Sequence, residues 1–358
     1  MINYFLNKAF YALLTIFGVV TVIFFLFNVL PGDPAQMMMG QNEDSAQLAI
    51  VKQKYGFDQP LSTQYLYYLN DLSPLSCHSN NPEDYTHLRK GKYSAARLFS
   101  LGNATMVFKF PYLRESFTKQ GKEVTQVIKE TLPNTFVLAV SAITIAIIIG
   151  ILLGIVSALF KDRWLDKAIQ IFSTLGMSLP SFFSAILFAW FFGFVLHKYT
   201  HLEMTGSLYE LDDFGENMNI KWKNLVLPAV VLGIRPLAVV IQLMRNSLLE
   251  VFNQDYIRTA RAKGLSEFQI IKNHAVKNAL NPVVTAISGW FASMLAGAVF
   301  VEYIFGWNGL GKEIVNALNT LDLPVIMGAV LVIALVFIII NIFVDVIYAW
   351  LDPKIKLQ

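Results

Sequence analysis

Apolar residues dominate several stretches of this chain over lengths that suit a membrane-spanning helix. Such a helix needs about 20 residues to cross roughly 30 Å of hydrocarbon. The stretches are 9–30, 134–160, 168–196, 224–244, 282–301 and 324–350, which predicts an all-α integral membrane protein with six transmembrane helices. The first is uncharged, longer than the apolar run of a signal peptide, and ends at Leu30-Pro31-Gly32-Asp33-Pro34 without a small-residue cleavage site, so it reads as a retained helix.

Between the first two spans lies a segment, 31–133, too long for a bare connection. Its 46–72 part repeats Leu, Ile, Val and Tyr in a pattern that suits one or two amphipathic helices broken near 56–60. Tyr65, Tyr67 and Tyr68 read as interfacial aromatics or as contacts to a partner. From 73 to 110 the composition turns to Ser, Asn, Pro and His, and the segment reads as an irregular insertion. The chain therefore divides into an N-terminus and first helix (1–30), an outer subdomain (31–133) and a five-helix core (134–358).

Charge sets an orientation. Lys161, Arg163 and Lys167 fill one short connection, and Arg245, Arg258, Arg261, Lys263, Lys272 and Lys277 follow the fourth span. Lys and Arg resist translocation, so both segments are expected in the cytoplasm. The 197–223 connection carries Glu203, Glu210, Asp212, Asp213 and Glu216, and 302–323 sets Lys312 against Glu302, Glu313 and Asp322; both are expected outside. Lys354 and Lys356 agree with both termini inside, and 31–133 is then external. The composition, 55% hydrophobic and 15% charged, supports a bilayer as solvent. Cys77 stands alone, so no intrachain disulfide forms. A net charge of +3 with no basic run among aromatics gives no reason to expect nucleic acid.

The 250–281 segment has the densest pattern. Asp255-Tyr256-Ile257-Arg258-Thr259-Ala260-Arg261-Ala262-Lys263-Gly264-Leu265 reads as a helix ended by glycine, after which Ser266 can cap a second helix with Phe268, Ile270, Ile271, Ala275 and Val276 as buried stripes. Ala260 and Gly264 are expected to leave a small-residue face open to another surface, with Arg258, Arg261 and Lys263 as its charged rim. The prediction is a compact cytosolic knob that serves as a docking element.

This segment resembles the coupling motif of permeases of binding-protein-dependent ABC importers, in which Glu-Ala-Ala, three residues and Gly insert into a separate ATPase. Arg258-Thr259-Ala260 occupy the first three positions and Gly264 the last. The run Tyr256 to Gly264, then His274 and Asn278-Ala279, is similar to the dipeptide, oligopeptide and nickel branch of that family. So are Leu30 to Pro34, Tyr55-Gly56-Phe57-Asp58-Gln59-Pro60, Gln64-Tyr65, Leu227-Pro228-Ala229, Met244-Arg245, Ala296 to Val299, Glu302, Ile304-Phe305, Trp307, Gly309-Leu310-Gly311, Asp345 and Asp352-Pro353. Asn308 stands where the family usually has Pro, and 73–110 has no counterpart.

The resemblance implies the type I importer permease fold and a heterodimer with a second homologous permease in a bacterial plasma (inner) membrane. It also implies two cytosolic ATPase subunits that hold ATP and Mg, and an extracytoplasmic substrate-binding protein. Asp255, Tyr256, Arg258, Thr259, Ala260, Arg261, Ala262, Lys263, Gly264 and His274 would form the ATPase contact. Di- or oligopeptide is the expected cargo, with nickel or another small solute as the alternative.

The residues themselves bear on chemistry. The Gly-Lys pairs at Gly91, Gly121 and Gly311 are followed by Tyr or Glu, so no phosphate loop is present and the chain is expected to be a transport subunit, not an enzyme, with no cofactor of its own. A metalloenzyme would need a ligand cluster, and His197 and His201 have neither a following Glu nor a third ligand, so no metal site is expected. An ion-coupled secondary transporter would show repeated halves and intramembrane acids, and Asp345 stands nearly alone. Arg235 lies near the middle of the fourth span, where a charge needs a reason: it either faces the substrate pathway or pairs with a neighbouring helix. Asn341 and Asp345, one turn apart, are expected to make an interhelical polar contact.

Overall fold

The computed structural model describes residues 2–29, 35–36, 45–82, 84–88, 93, 95–212 and 215–351. The Leu30 to Pro34 motif, Asp213, Asp352-Pro353, Lys354 and Lys356 lie outside these residues. The chain forms two compact units: Asn7–Glu130 with Asn316–Ala334, and Met1–Leu6 with Thr131–Val315 and Leu335–Gln358.

The first of these holds most of the Ile2–Val29 helix, the helices Ser45–Tyr55 and Leu61–Leu72, and a sheet of β1 (Leu75–Ser79), β2 (Ala95–Leu101) and β3 (Ala104–Lys109). The two helices break at Gly56, whose φ of 71° suits glycine, and restart behind Pro60, as the sequence predicts. The sheet is antiparallel in the order β1-β3-β2 and replaces the expected irregular insertion. Its pattern misleads because the polar residues Ser76, His78, Thr105 and Lys109 are buried, while Leu75 and Phe108, paired across the ladder, are exposed. The usual rule that apolar residues point inward is broken at these positions, although Val107 keeps it between Thr105 and Lys109.

Asp71 organises this unit. Its buried carboxylate accepts from Tyr85 Oη (2.9 Å), Tyr93 Oη (2.9 Å) and Arg114 Nε (2.9 Å), and its carbonyl from Tyr112 N (2.9 Å) and Lys109 Nζ. The Arg114 guanidinium also lies over the Tyr68 and Tyr85 rings, 5.2 and 5.8 Å from their centroids. Tyr65 meets Thr21 Oγ1 at 2.6 Å and packs on Phe24 and Phe25, Tyr68 stacks on Phe24, and Tyr67 stacks on Tyr85. Tyr68 is buried and Tyr65 and Tyr67 are half-buried, so all three rings pack within this unit, and the Tyr65 hydroxyl pairs with Thr21. A second buried acid, Asp322, accepts from Ser116 Oγ, Phe117 N (3.0 Å), Thr118 N (3.2 Å) and Thr118 Oγ1 (2.8 Å), fastening that loop to the start of the Leu323–Leu351 helix.

In the other unit, the Val124–Leu159 helix packs on Lys223–Val251 through glycines. A Cβ on Gly150 would stand 2.7 Å from Val240, on Gly154 2.6 Å from Met244, and on Gly233 2.8 Å from the Ala142 carbonyl. Small residues give close approach where lipid offers no hydrophobic drive between helices. At 36 residues the Val124–Leu159 helix is about 54 Å long, more than the hydrocarbon thickness, so part of it projects beyond the bilayer core.

Among the described residues, four helices are long and apolar enough to cross a membrane: Leu6–Phe27, Val124–Leu159, Lys223–Val251 and Leu323–Val346. Two further candidates are bent pairs, Trp164–Ser178 with Ser181–Val195 at 112° and Asn281–Leu295 with Val299–Phe305 at 57°. The expected continuous span at 168–196 is thus broken. Pro180 has no N–H and crowds the residue before it, and Leu179 is accordingly extended, at φ −77° and ψ 134°. The all-α expectation is corrected a second time by a hairpin of β4 (Tyr209–Leu211) and β5 (Met218–Ile220). The 302–323 segment is no open loop, but the Val299–Phe305 helix, a turn at Gly306, and the Leu310–Thr320 helix.

Candidate functional site

The 250–281 knob is built on a buried base. Ile257, Ala260, Ile270, Ala275 and Ala279 pack with Met244, Leu248 and Val251 of the Lys223–Val251 helix and with Ala158. Its first helix, Asp255–Ala262, ends in a Schellman motif: Gly264 N donates to Arg261 O (2.9 Å) and Leu265 N to Ala260 O (3.3 Å), with Gly264 at φ 79°. Ser266 then opens the second helix with a capping box, its N–H donating to Gln269 Oε1 at 3.0 Å. The knob's helices are tied together by Asn278 Nδ2, which donates to Tyr256 Oη (3.2 Å), and by Arg261 Nε, which donates to Glu267 Oε1 (3.0 Å).

This brings the sequence-predicted residues to one surface, with two corrections. Asp255, Tyr256, Arg258, Thr259, Arg261, Ala262, Lys263 and Gly264 are exposed, and a Cβ on Gly264 would meet nothing within 4 Å. Ala260 faces inward, because it lies three residues after Ile257 on the same face of the Asp255–Ala262 helix, the face that packs on the base. Phe268, expected in the buried stripe, is 72% exposed, and His274 is half-buried. The knob thus presents an aromatic edge and a cationic rim around an open glycine.

Beneath the knob, Arg245 grips Asp166 in a two-pronged ion pair, Nε to Oδ1 at 2.8 Å and Nη2 to Oδ2 at 2.6 Å. Ser157 Oγ (2.5 Å) and Asp162 N (2.9 Å) donate to the same carboxylate. Arg245, a basic residue of the expected cytoplasmic connection and part of the Met244-Arg245 motif, is turned onto Asp166 because the Lys223–Val251 helix continues past it. The sequence reading missed Asp166. Its signal is an acid, one of two with Asp162, set among the basic residues of its connection.

Glu302, fully buried, explains the Gly309-Leu310-Gly311 motif. Its Oε2 accepts from Gly311 N (2.7 Å) and Lys312 N (3.2 Å), so the carboxylate caps the Leu310–Thr320 helix at its positive end. A Cβ on Gly309 would lie 2.4 Å from that carboxyl group and one on Gly311 2.5 Å from Val299 Cα. Asn308, in place of the family's usual Pro, uses the N–H that Pro lacks to donate to Ser207 Oγ (3.1 Å). Its carbonyl accepts from Asn134 Nδ2 (2.7 Å), and Trp307 Nε1 donates to Asn134 O (3.0 Å).

Arg235 lies at a cleft of about 80 Å³ lined by residues that include Leu179, Ser181, Ser184, Trp290 and Ser293. Its Nη2 donates to Leu179 O at 3.4 Å, a carbonyl freed by the Pro180 break. Asn341, expected to reach another helix, donates to Phe337 O of its own (2.8 Å). Among the described residues no group of His, Cys, Asp and Glu could hold a metal, and His197 Nδ1 meets the Leu202 carbonyl at 2.8 Å.

Family comparison defines the class. Residues 146–357 match the binding-protein-dependent transport system inner membrane component family, and residues 1–76 match the N-terminal model of such membrane components. The chain belongs to this family and is a multi-pass helical membrane permease. It is 33% identical to the dipeptide transport system permease protein of Bacillus subtilis, covering 100% of this chain and 99% of that one. It is 31% identical to the dipeptide transport system permease protein of Alkalihalophilus pseudofirmus (99% and 100%) and 31% identical to the glutathione transport system permease protein of Salmonella choleraesuis (99% and 99%).

Proposed function

We propose that this chain is the permease subunit of an ATP-driven importer of di- and oligopeptides. The observation that carries the reading is the knob: a surface of Asp255, Tyr256, Arg258, Thr259, Arg261, Ala262, Lys263 and Gly264 on a rigid buried base, with Ala260 and His274 supporting it. A short helix held so firmly at a membrane protein's edge suits transmission of force, and the partner is a separate ATPase that holds ATP and Mg. Counting each bent pair as one crossing gives six spans, and the basic connections support both termini in the cytoplasm. A second homologous permease completes the pathway, two ATPases drive it, and a binding protein delivers cargo from outside. Peptide cargo rests on the names of the relatives, two of which are dipeptide permeases and one a glutathione permease. In this reading Arg235 belongs to the substrate pathway, and its position on the lining of a cleft supports it.

Co-purification from the native membrane tests the coupling surface. Gly264→Arg fills the open position in a backbone conformation that only glycine adopts freely, and should release the ATPase while the second permease stays bound. Retention of the ATPase by this variant, with uptake unchanged, would remove the knob from the coupling path.

A further inference from the structure

We infer that the cleft at Arg235 is a receptor for a carboxylate on the passenger, so that this permease itself selects for peptides bearing one. The inference rests on the peptide-importer reading and assigns it a recognition group. Arg235 lies twelve residues into the apolar Lys223–Val251 helix, and its side chain is exposed. A cation at such depth is costly and is retained where it meets a partner or a water-filled path. Here the protein supplies little: one long hydrogen bond to the Leu179 carbonyl, and no acidic residue in the cleft lining. The remaining guanidinium donors are left facing the cleft.

The surroundings fit an anion that carries an apolar body. Ser181, Ser184 and Ser293 add hydroxyls, while Trp290, Met294 and Val231 supply apolar walls. A guanidinium binds a carboxylate through two parallel N–H donors, a geometry that a peptide carbonyl, with one oxygen, does not match. Leu179 sits at the 112° break between Trp164–Ser178 and Ser181–Val195, so a carboxylate that draws Arg235 from the Leu179 carbonyl acts directly at the bend. Recognition and the break in the helix share one residue.

The experiment uses the complete importer in vesicles, with the binding protein supplied at saturating concentration and already loaded, so that selection upstream of the permease drops out. Three neutral-bodied peptides that the binding protein retains are compared: one with a free C-terminus, its C-terminal amide, and an amide carrying an Asp side chain. The wild type should import the free acid faster than its amide by on the order of tenfold to a hundredfold, the worth of a charge-assisted hydrogen bond. Arg235→Gln should lower the free acid to the rate of the amide, and Arg235→Lys should restore part of the difference. Rapid import of the Asp peptide would show that any carboxylate serves, and slow import would restrict recognition to the C-terminus. If Arg235→Gln slows acid and amide alike, or changes neither, the inference is overturned while peptide transport stands. If the wild-type assembly carries none of the three, the peptide reading fails and this inference falls with it.

Discussion

Individual carboxylates hold much of this structure. Asp166 receives four donors at one point, from Arg245, Ser157 and the Asp162 backbone, and the Asp166 and Arg245 side chains are 3% and 18% exposed. Removing one partner of such a pair leaves the other buried and uncompensated, which costs several kcal/mol, whereas removing both is far cheaper. Asp166→Asn should therefore destabilise the detergent-solubilised protein by about 3 kcal/mol, and the double variant Asp166→Asn with Arg245→Gln should recover part of that loss. Denaturant unfolding measures both; a single variant as stable as the wild type would show the pair to be dispensable. Glu302 has the same logic in another form, because it satisfies N–H groups at a helix start and leaves room only for glycine at 309 and 311.

At the scale of elements, the Asp71 cluster joins the sheet to the Leu61–Leu72 helix and makes this unit sensitive to alkali. Burial pushes Lys109 down to about 8, with the Asp71 charge opposing the shift, and pushes Tyr68 up to about 12 and Tyr85, Tyr93 and Tyr112 further up. Between about pH 8 and the ordinary lysine value of 10.5, the unfolded chain holds the Lys109 proton and the folded unit has released it. Raising the pH through this window therefore favours the folded state. The tyrosines act in the opposite sense above their ordinary value of 10.0, since unfolded phenols ionise there and the buried ones do not. Thermal unfolding midpoints should thus rise from pH 8 to 10 more steeply in the wild type than in Lys109→Met, and fall in both beyond that. Parallel profiles for the two proteins would exclude Lys109 from the effect.

At the scale of the whole molecule, the proposed topology places the 31–133 region outside the cell. Cys77, the one cysteine in the chain, is exposed on β1 within that region and serves as a built-in reporter. A membrane-impermeant maleimide should label it in intact cells at the same level as in permeabilised ones. Labelling that requires permeabilisation would invert the topology, and with it the assignment of the knob to the cytosol.

What the amino-acid sequence determined by itself is the part of the architecture that local physics dictates. Long apolar runs must become helices in a bilayer, and the Gly264 stop with its Ser266 restart is a local signature written within a dozen residues. The knob's exposed face was legible for the same reason, since a short capped helix has few alternatives. The tertiary structure alone decided what depends on residues far apart in the chain. Ala260 turned inward and Phe268 outward because the knob packs on Met244 and Leu248. The 73–110 segment became a sheet in which a buried polar residue, Lys109, found its partner in Asp71, an exchange that hydropathy cannot register. Glu302 changed from a loop acid to a helix cap because the chain returns at Gly311 to meet it. Burial of a polar group is favourable only where its partner arrives, and hydropathy along the chain does not say where that is.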